Sequence, residues 1–169
     1  MFGRSRADET ITLKDVPANK FIAAYAAHLK KTQKIKPIDG HEYLKTAFYK
    51  DMHPECPDWY YTRAAALARK LYLRPQIGVG RLRHLFGSVR RNGHCANRHG
   101  KASGKIIRHA LIQLEKAGII TRFKDEQGNV FDERIVSKEG QKELNEVAKN
   151  VFNASLGVNE DEELSLIHI

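Results

Sequence analysis

From Trp59 to Leu114 the chain runs fifty-six residues with twelve lysines or arginines and no aspartate or glutamate. Any fold of this segment must hold like charges that it cannot neutralise from within. The other residues carry seventeen Lys or Arg against twenty Asp or Glu, so the whole excess behind the +9 net charge lies in this tract. Solubility does not require a third of a 169-residue chain to lack acids. A long acid-free basic tract is instead the electrostatic footprint of a polyanion partner. Nucleic acid fits better than a membrane surface, because no amphipathic anchor, lipidation signal or apolar run of about 20 residues is legible. Met1 to Leu13 lacks the apolar core of a signal peptide. Cys56 and Cys95 do not make a disulfide framework. A soluble, intracellular chain in a reducing compartment is expected.

Apolar spacing places the elements. Phe21, Ala24, Tyr25 and Leu29 share one face of a helix over about 17–31, with Asp15 as its cap and Pro17 in its first turn. A second helix, about 41–51, would turn Leu44, Ala47 and Phe48 inward. After the breaker run His53 to Asp58, Asp58 caps a helix over 59–73, and a short helix follows over 78–86. Gly87 to Gly104 reads as a long polar loop with four glycines. A helix over 103–117 stops at Gly118. Ile119–Lys124 and Val130–Val136 read as strands of a hairpin joined by the turn Asp125 to Asn129. Ser137 caps a last helix over 138–152. Helix, loop, helix and hairpin in this order predict a mainly α, winged-helix-like helical bundle with a small β-hairpin wing. Residues 1–13 form a polar arm and 14–152 the domain. Residues 153–169 form a tail, with an acidic cluster at Glu160–Glu163 before the apolar Leu164 to Ile169.

The basic tract is patterned on these elements. On the helix over 59–73, Trp59, Arg63, Lys70 and Arg74 fall within about 60° of one another at 100° per residue. Tyr60, Tyr61, Ala64, Ala68, Leu71 and Tyr72 gather opposite, and Arg69 lies on the far flank. Guanidinium groups bind phosphate in bidentate fashion, and an indole or guanidinium plane can stack on a splayed base. The helix over 103–117 repeats the design. Lys101, Lys105 and Arg108 lie opposite Ile106, Ile107, Ala110, Leu111, Leu114 and Ala117, and the N-terminus of this helix suits a phosphate. Arg90, Arg91 and Arg98 in the preceding loop, and Arg81 on the short helix, complete the expected surface. A Gly-rich basic loop moulds to irregular RNA more readily than to a regular DNA groove. A winged-helix DNA-binding regulator is the alternative, and an RNA-processing enzyme a third reading.

Catalytic and metal chemistry find little support. The tract has no carboxylate to hold a nuclease metal. Gly78-Val79-Gly80 is too short for a phosphate loop, and Gly100-Lys101-Ala102-Ser103 does not fit one. His53 and Cys56 have a spacing that zinc permits, but a second pair to match them is absent, and His94, Cys95 and His99 read as loop residues. No cofactor, metal or enzymatic activity is expected.

The run Trp59-Tyr60-Tyr61-Thr62-Arg63-Ala64-Ala65, continued by Ala68-Arg69 and Leu71-Tyr72-Leu73-Arg74, resembles the signature of the eukaryotic-type small-subunit ribosomal protein S-nineteen family of eukaryotes and archaea. Lys14-Asp15-Val16 with Phe21 and Leu29-Lys30-Lys31, then Gly78-Val79-Gly80, Arg91-Asn92-Gly93 and the stretch Arg108 to Glu115 match as well. The likeness covers about 10–152. It implies a winged-helix-like, non-catalytic protein in the head of the small subunit. Such a protein binds the 3′ domain of the small-subunit rRNA, lies beside neighbouring ribosomal proteins, and is needed for rRNA maturation and assembly. It implies cytoplasmic ribosomes as the location, with a nucleolar stage in a eukaryote, and no homo-oligomer. Trp59, Arg63, Arg69 and Arg108 match the family's RNA-facing positions, and Arg91 a basic loop position. Pro75 and Gln76 stand where glycines are common, and Val89 where a basic residue is common.

Overall fold

The computed structural model describes residues 11–125 and 127–156. Helix α1 is Ala18–Thr32, α2 is Trp59–Leu73 and α3 is Val79–Leu85. An antiparallel hairpin follows, β1 Ser88–Asn92 with β2 Cys95–Gly100, and then α4, Gly104–Lys116. The second hairpin is β3 Ile120–Lys124 with β4 Val130–Val136, and α5 is Lys138–Leu156. The bridge Ile77↔Arg134 lays the chain before α3 along β4. The result is a mainly α, winged-helix-like fold in which β3 and β4 form the wing.

Each helix forms because one face is apolar, and each buries that face. Phe21, Tyr25, Ala26 and Leu29 of α1 meet Ala64, Leu67, Ala68 and Leu71 of α2 in one continuous core. Helix α5 crosses α1, with Leu144 and Ala148 buried. Ile106, Ile107, Ala110, Leu111 and Leu114 of α4 are buried as their spacing requires. This stripe packs chiefly on α2, α3 and β3. Leu13, the last residue of the expected arm, is fully buried.

Caps fall less simply than their residue types suggest. Ser137 Oγ accepts the Gly140 N–H at 2.9 Å, as a cap should. Gly140 also lies so close to the Ile119 carbonyl that a Cβ there would collide with it. Asp15 does not cap α1, whose N-cap is Pro17. Its carboxylate instead accepts the Thr12 N–H and Thr12 hydroxyl, both at 2.8 Å, which closes a short 3₁₀ turn at Leu13–Asp15. Asp58 is the N-cap residue of α2 without a side-chain cap bond, and its carboxylate pairs with Lys30 at 2.7 Å.

Two segments take other forms than expected. The helix over 41–51 is absent; only His41–Tyr43 forms a 3₁₀ turn. Ala47 is buried, but Phe48 is 66% exposed rather than inward. The Thr46 carbonyl accepts the Ser103 N–H at 2.9 Å, so this segment is tied to the start of α4 instead of coiling on itself. The polar loop over 87–104 is in fact the hairpin β1–β2. Helix α5 runs past the expected end at 152, while Glu160–Glu163 and Leu164 to Ile169 lie outside the described residues.

Candidate nucleic-acid interface

Helix α2 contributes less of its first turn than the wheel implies. Trp59 is 8% exposed and its ring meets Tyr60 edge-on at 5.9 Å, so most of it is packed into the core. The loop before α2 ends against the helix start, where the Trp59 N–H donates to the Cys56 carbonyl at 3.2 Å. Pro54, Glu55, Cys56 and Phe86 join Trp59 and Arg63 around an open groove. Arg63 is half-buried, and its guanidinium lies 4.9 Å from the centre of the Phe86 ring. Burial lowers its pKa, an effect that Tyr49 opposes. Arg69 and Lys70 are half-buried and Arg74 is exposed. The enclosed Arg69 Nε has no hydrogen-bond partner.

The hairpin β1–β2 is the most exposed cationic element. Arg90, Arg91 and Arg98 are all exposed, and Arg90 stands opposite Arg98 in the ladder. Like charges facing each other across a strand pair are destabilising. The Arg90 guanidinium is steadied 5.2 Å above the Phe48 ring. Behind the hairpin, His99 Nε2 lies 3.0 Å from the His84 carbonyl, and the two imidazole rings are 4.2 Å apart. Gly87 and Gly100 permit this approach. A Cβ on Gly87 would strike the Gly100 carbonyl, and one on Gly100 would strike the Tyr49 ring.

The third part is the start of α4. Lys101, Lys105 and Arg108 are exposed on the side opposite the buried stripe. Ser103, the N-cap residue, makes no side-chain cap bond, so the first-turn N–H groups are uncapped at the positive end of the helix dipole. Arg83, which sequence reasoning passed over, belongs here. It is half-buried, its Nε donates to the Ala102 carbonyl at 3.1 Å, and a Cβ on Gly104 would meet both Arg83 and Arg108 at 3.3 Å. Arg81, on α3, is exposed.

Phe86 thus holds Arg63, Phe48 holds Arg90, and the Ala102 carbonyl holds Arg83. Lys70 and Arg74 continue the α2 stripe away from them, and Arg69 leaves it. Among the described residues none of the tract's twelve cations forms an ion pair. The ion pairs lie elsewhere: Lys34 with Glu143 at 2.8 Å, Lys30 with Asp58, and Arg122 with Glu115 at 2.8 Å. Chemically, the surface offers cations, exposed rings and free N–H groups but no carboxylate pair. Among the described residues no three His, Cys, Asp or Glu side chains cluster as metal ligands, and no helix is long and apolar enough to cross a membrane.

Comparison with known proteins bears on this geometry. Residues 12–154 match the family Ribosomal protein S19e. The chain is 43% identical over 146 residues to "Small ribosomal subunit protein eS19" of Oryza sativa subsp. japonica, covering 86% of this chain and 96% of that protein. It is 41% identical over 144 residues to the protein of the same name in Emericella nidulans, covering 85% and 93%. It is 41% identical over 142 residues to "Small ribosomal subunit protein eS19A" of Schizosaccharomyces pombe, covering 84% and 94%. The match runs through the core of the winged-helix-like domain and the whole basic tract, and the chain belongs to the ribosomal protein S19e family.

Proposed function

We propose that this protein is a non-catalytic component of the small ribosomal subunit. It holds rRNA of the subunit head, in the 3′ domain, against its basic face and supports rRNA maturation during assembly. The observation that carries this reading is that, among the described residues, the twelve cations between Trp59 and Leu114 form no ion pair, while cations outside that tract do find carboxylates. Desolvated or crowded like charges need an external counter-charge, and a phosphate backbone supplies one at regular spacing. The Arg90–Arg98 cross-strand pair points the same way. Arg63, Arg90, Arg91, Arg98, Lys101, Lys105 and Arg108 carry the phosphate contacts. Arg69, Lys70, Arg74 and Arg81 extend them, and Trp59 stiffens the base of α2. The working location is the cytoplasmic ribosome, after a nucleolar stage in a eukaryotic cell.

The test is sedimentation of a cell lysate. The protein is expected with small ribosomal subunits and is expected to leave them after ribonuclease treatment. Protein that stays on chromatin and resists ribonuclease would overturn the reading.

A further inference from the structure

The loop that replaces the expected second helix presents two rings that the core does not use. Tyr43 is 80% exposed and Phe48 66% exposed. Both border a pocket of about 460 Å³ against the start of α4, a size within the range of small-molecule sites, about 300–1,000 Å³. Its other walls include Lys45, Arg83, Lys101 and Ser103, with no carboxylate among the described residues that line it. The floor is fixed by backbone bonds: Ser103 N–H to the Thr46 carbonyl and Ala102 N–H to the Arg83 carbonyl, both 2.9 Å. The Arg83 side chain is fixed by its Nε bond to the Ala102 carbonyl at 3.1 Å. The Phe48 ring is braced edge-on by Tyr49 at 5.4 Å and capped by Arg90.

Exposed rings beside unpaired cations are how single-stranded nucleic acid is held, with bases stacked on rings and phosphates drawn to the charges. A fully paired helix cannot use such rings, because its bases are already stacked and its edges are turned inward. We propose that this pocket takes one unpaired nucleotide, its base against Tyr43 and Phe48 and its phosphate against Lys45 and Lys101. The proposal rests on the RNA-binding reading above. It adds that one part of the surface selects an extruded base and does not merely follow backbone charge. Stacking tolerates any base, so the preference is for an unpaired position over a paired one.

The full-length protein would be titrated with a synthetic RNA hairpin carrying one bulged aminopurine, a fluorescent adenine analogue, and with the same hairpin fully paired. Wild type is expected to bind the bulged hairpin at least about fivefold more tightly and to quench its fluorescence, as one base–aromatic stack implies. Tyr43→Ala should bring the two affinities toward parity while leaving the affinity for the paired hairpin unchanged. Because the ring is exposed, the melting temperature should not move. Phe48→Ala should also reduce the preference; if it lowers the melting temperature, Tyr43→Ala alone decides. Equal affinities and unchanged fluorescence in the wild type would overturn the pocket and leave the RNA reading intact. Full preference retained by Tyr43→Ala would overturn it likewise. Binding to neither hairpin at low salt would overturn the RNA-binding reading, and the pocket with it.

Discussion

The guanidinium of Arg63 on α2 lies 4.9 Å from the centre of the Phe86 ring, at the junction of α3 and β1. One side chain therefore serves two purposes, presenting charge and holding two elements together. A desolvated cation over a ring contributes about 0.5–2 kcal/mol, and the arginine stem adds packing. Arg63→Ala is expected to lower unfolding free energy by about 1 kcal/mol. Leu71→Ala, at a position 1% exposed, should cost roughly 2–5 kcal/mol through its cavity. Arg98→Ala on the exposed hairpin should stay within about 0.5 kcal/mol. Urea denaturation of the three variants checks the order, and an Arg98 variant as unstable as the Leu71 variant would refute the hairpin's surface assignment.

Affinity of the isolated protein for structured RNA should fall steeply with salt. Each phosphate neutralised contributes a log–log slope of about −0.7 to −0.9. Replacing Arg90, Arg91 and Arg98 together by Ala should make the slope shallower by about two to three units on the same scale. Filter binding over a range of potassium chloride concentrations measures it, and a nearly flat dependence in the wild type would contradict a phosphate-dominated surface.

Lys105 is exposed on the first turn of α4, opposite Ile107, Leu111 and Leu114. Lys105→Glu should impair function more than Lys105→Ala, because it sets a repulsive charge beside phosphate instead of only removing an attraction. Cells carrying only the Glu variant should accumulate unprocessed rRNA precursor while the variant protein remains folded. Equal precursor levels for Ala and Glu, by gel analysis of rRNA, would place Lys105 in solvent.

His109 reports on the junction of α2 and α4. Its Nδ1 lies 2.6 Å from the Tyr60 hydroxyl. Burial raises the Tyr60 pKa, so the phenol keeps its proton, and the imidazole tautomer sets which of the two groups donates. Burial is also the largest cause that lowers the His109 pKa from 6.5; Lys116 and Lys105 add to it and Asp39 opposes it. With the folded pKa below the unfolded one, the unfolded chain takes up the proton first as pH falls. This stability is complete above about pH 6.5 and is lost as pH falls through the folded value. His109→Gln should therefore flatten part of the decline in urea midpoint between about pH 7.5 and pH 5. A His109 proton-resonance titration at or above the ordinary histidine value would refute the sign.

Local patterns settled much of this molecule. Tyr25 and Leu29, Ala64 and Leu71, and Ile107, Leu111 and Leu114 announce their helices because one apolar stripe at helical spacing has to be buried. Asp125 to Asn129 announces the wing because a tight turn needs residues such as Gly128, whose φ is +84°. The charge of the candidate interface was equally legible, since an acid-free tract is a property of the sequence alone.

Long-range contacts decided the rest. Residues 88–100 lack an apolar alternation because nearly every position of β1 and β2 faces solvent, so pairing through Gly87 and Gly100 left no burial pattern to read. Leu44, Ala47 and Phe48 have helical spacing, yet the bond from Ser103 N–H to the Thr46 carbonyl ties that segment to α4 and leaves Phe48 outside. Trp59 sits on the cationic side of a wheel, but it is packed into the core and only 8% exposed. The role of Arg83 depends on the Ala102 carbonyl nineteen residues away. A periodicity registers which face of a single element is apolar. What another part of the chain places against that face, and which rings it leaves in water, is determined only when the elements pack together.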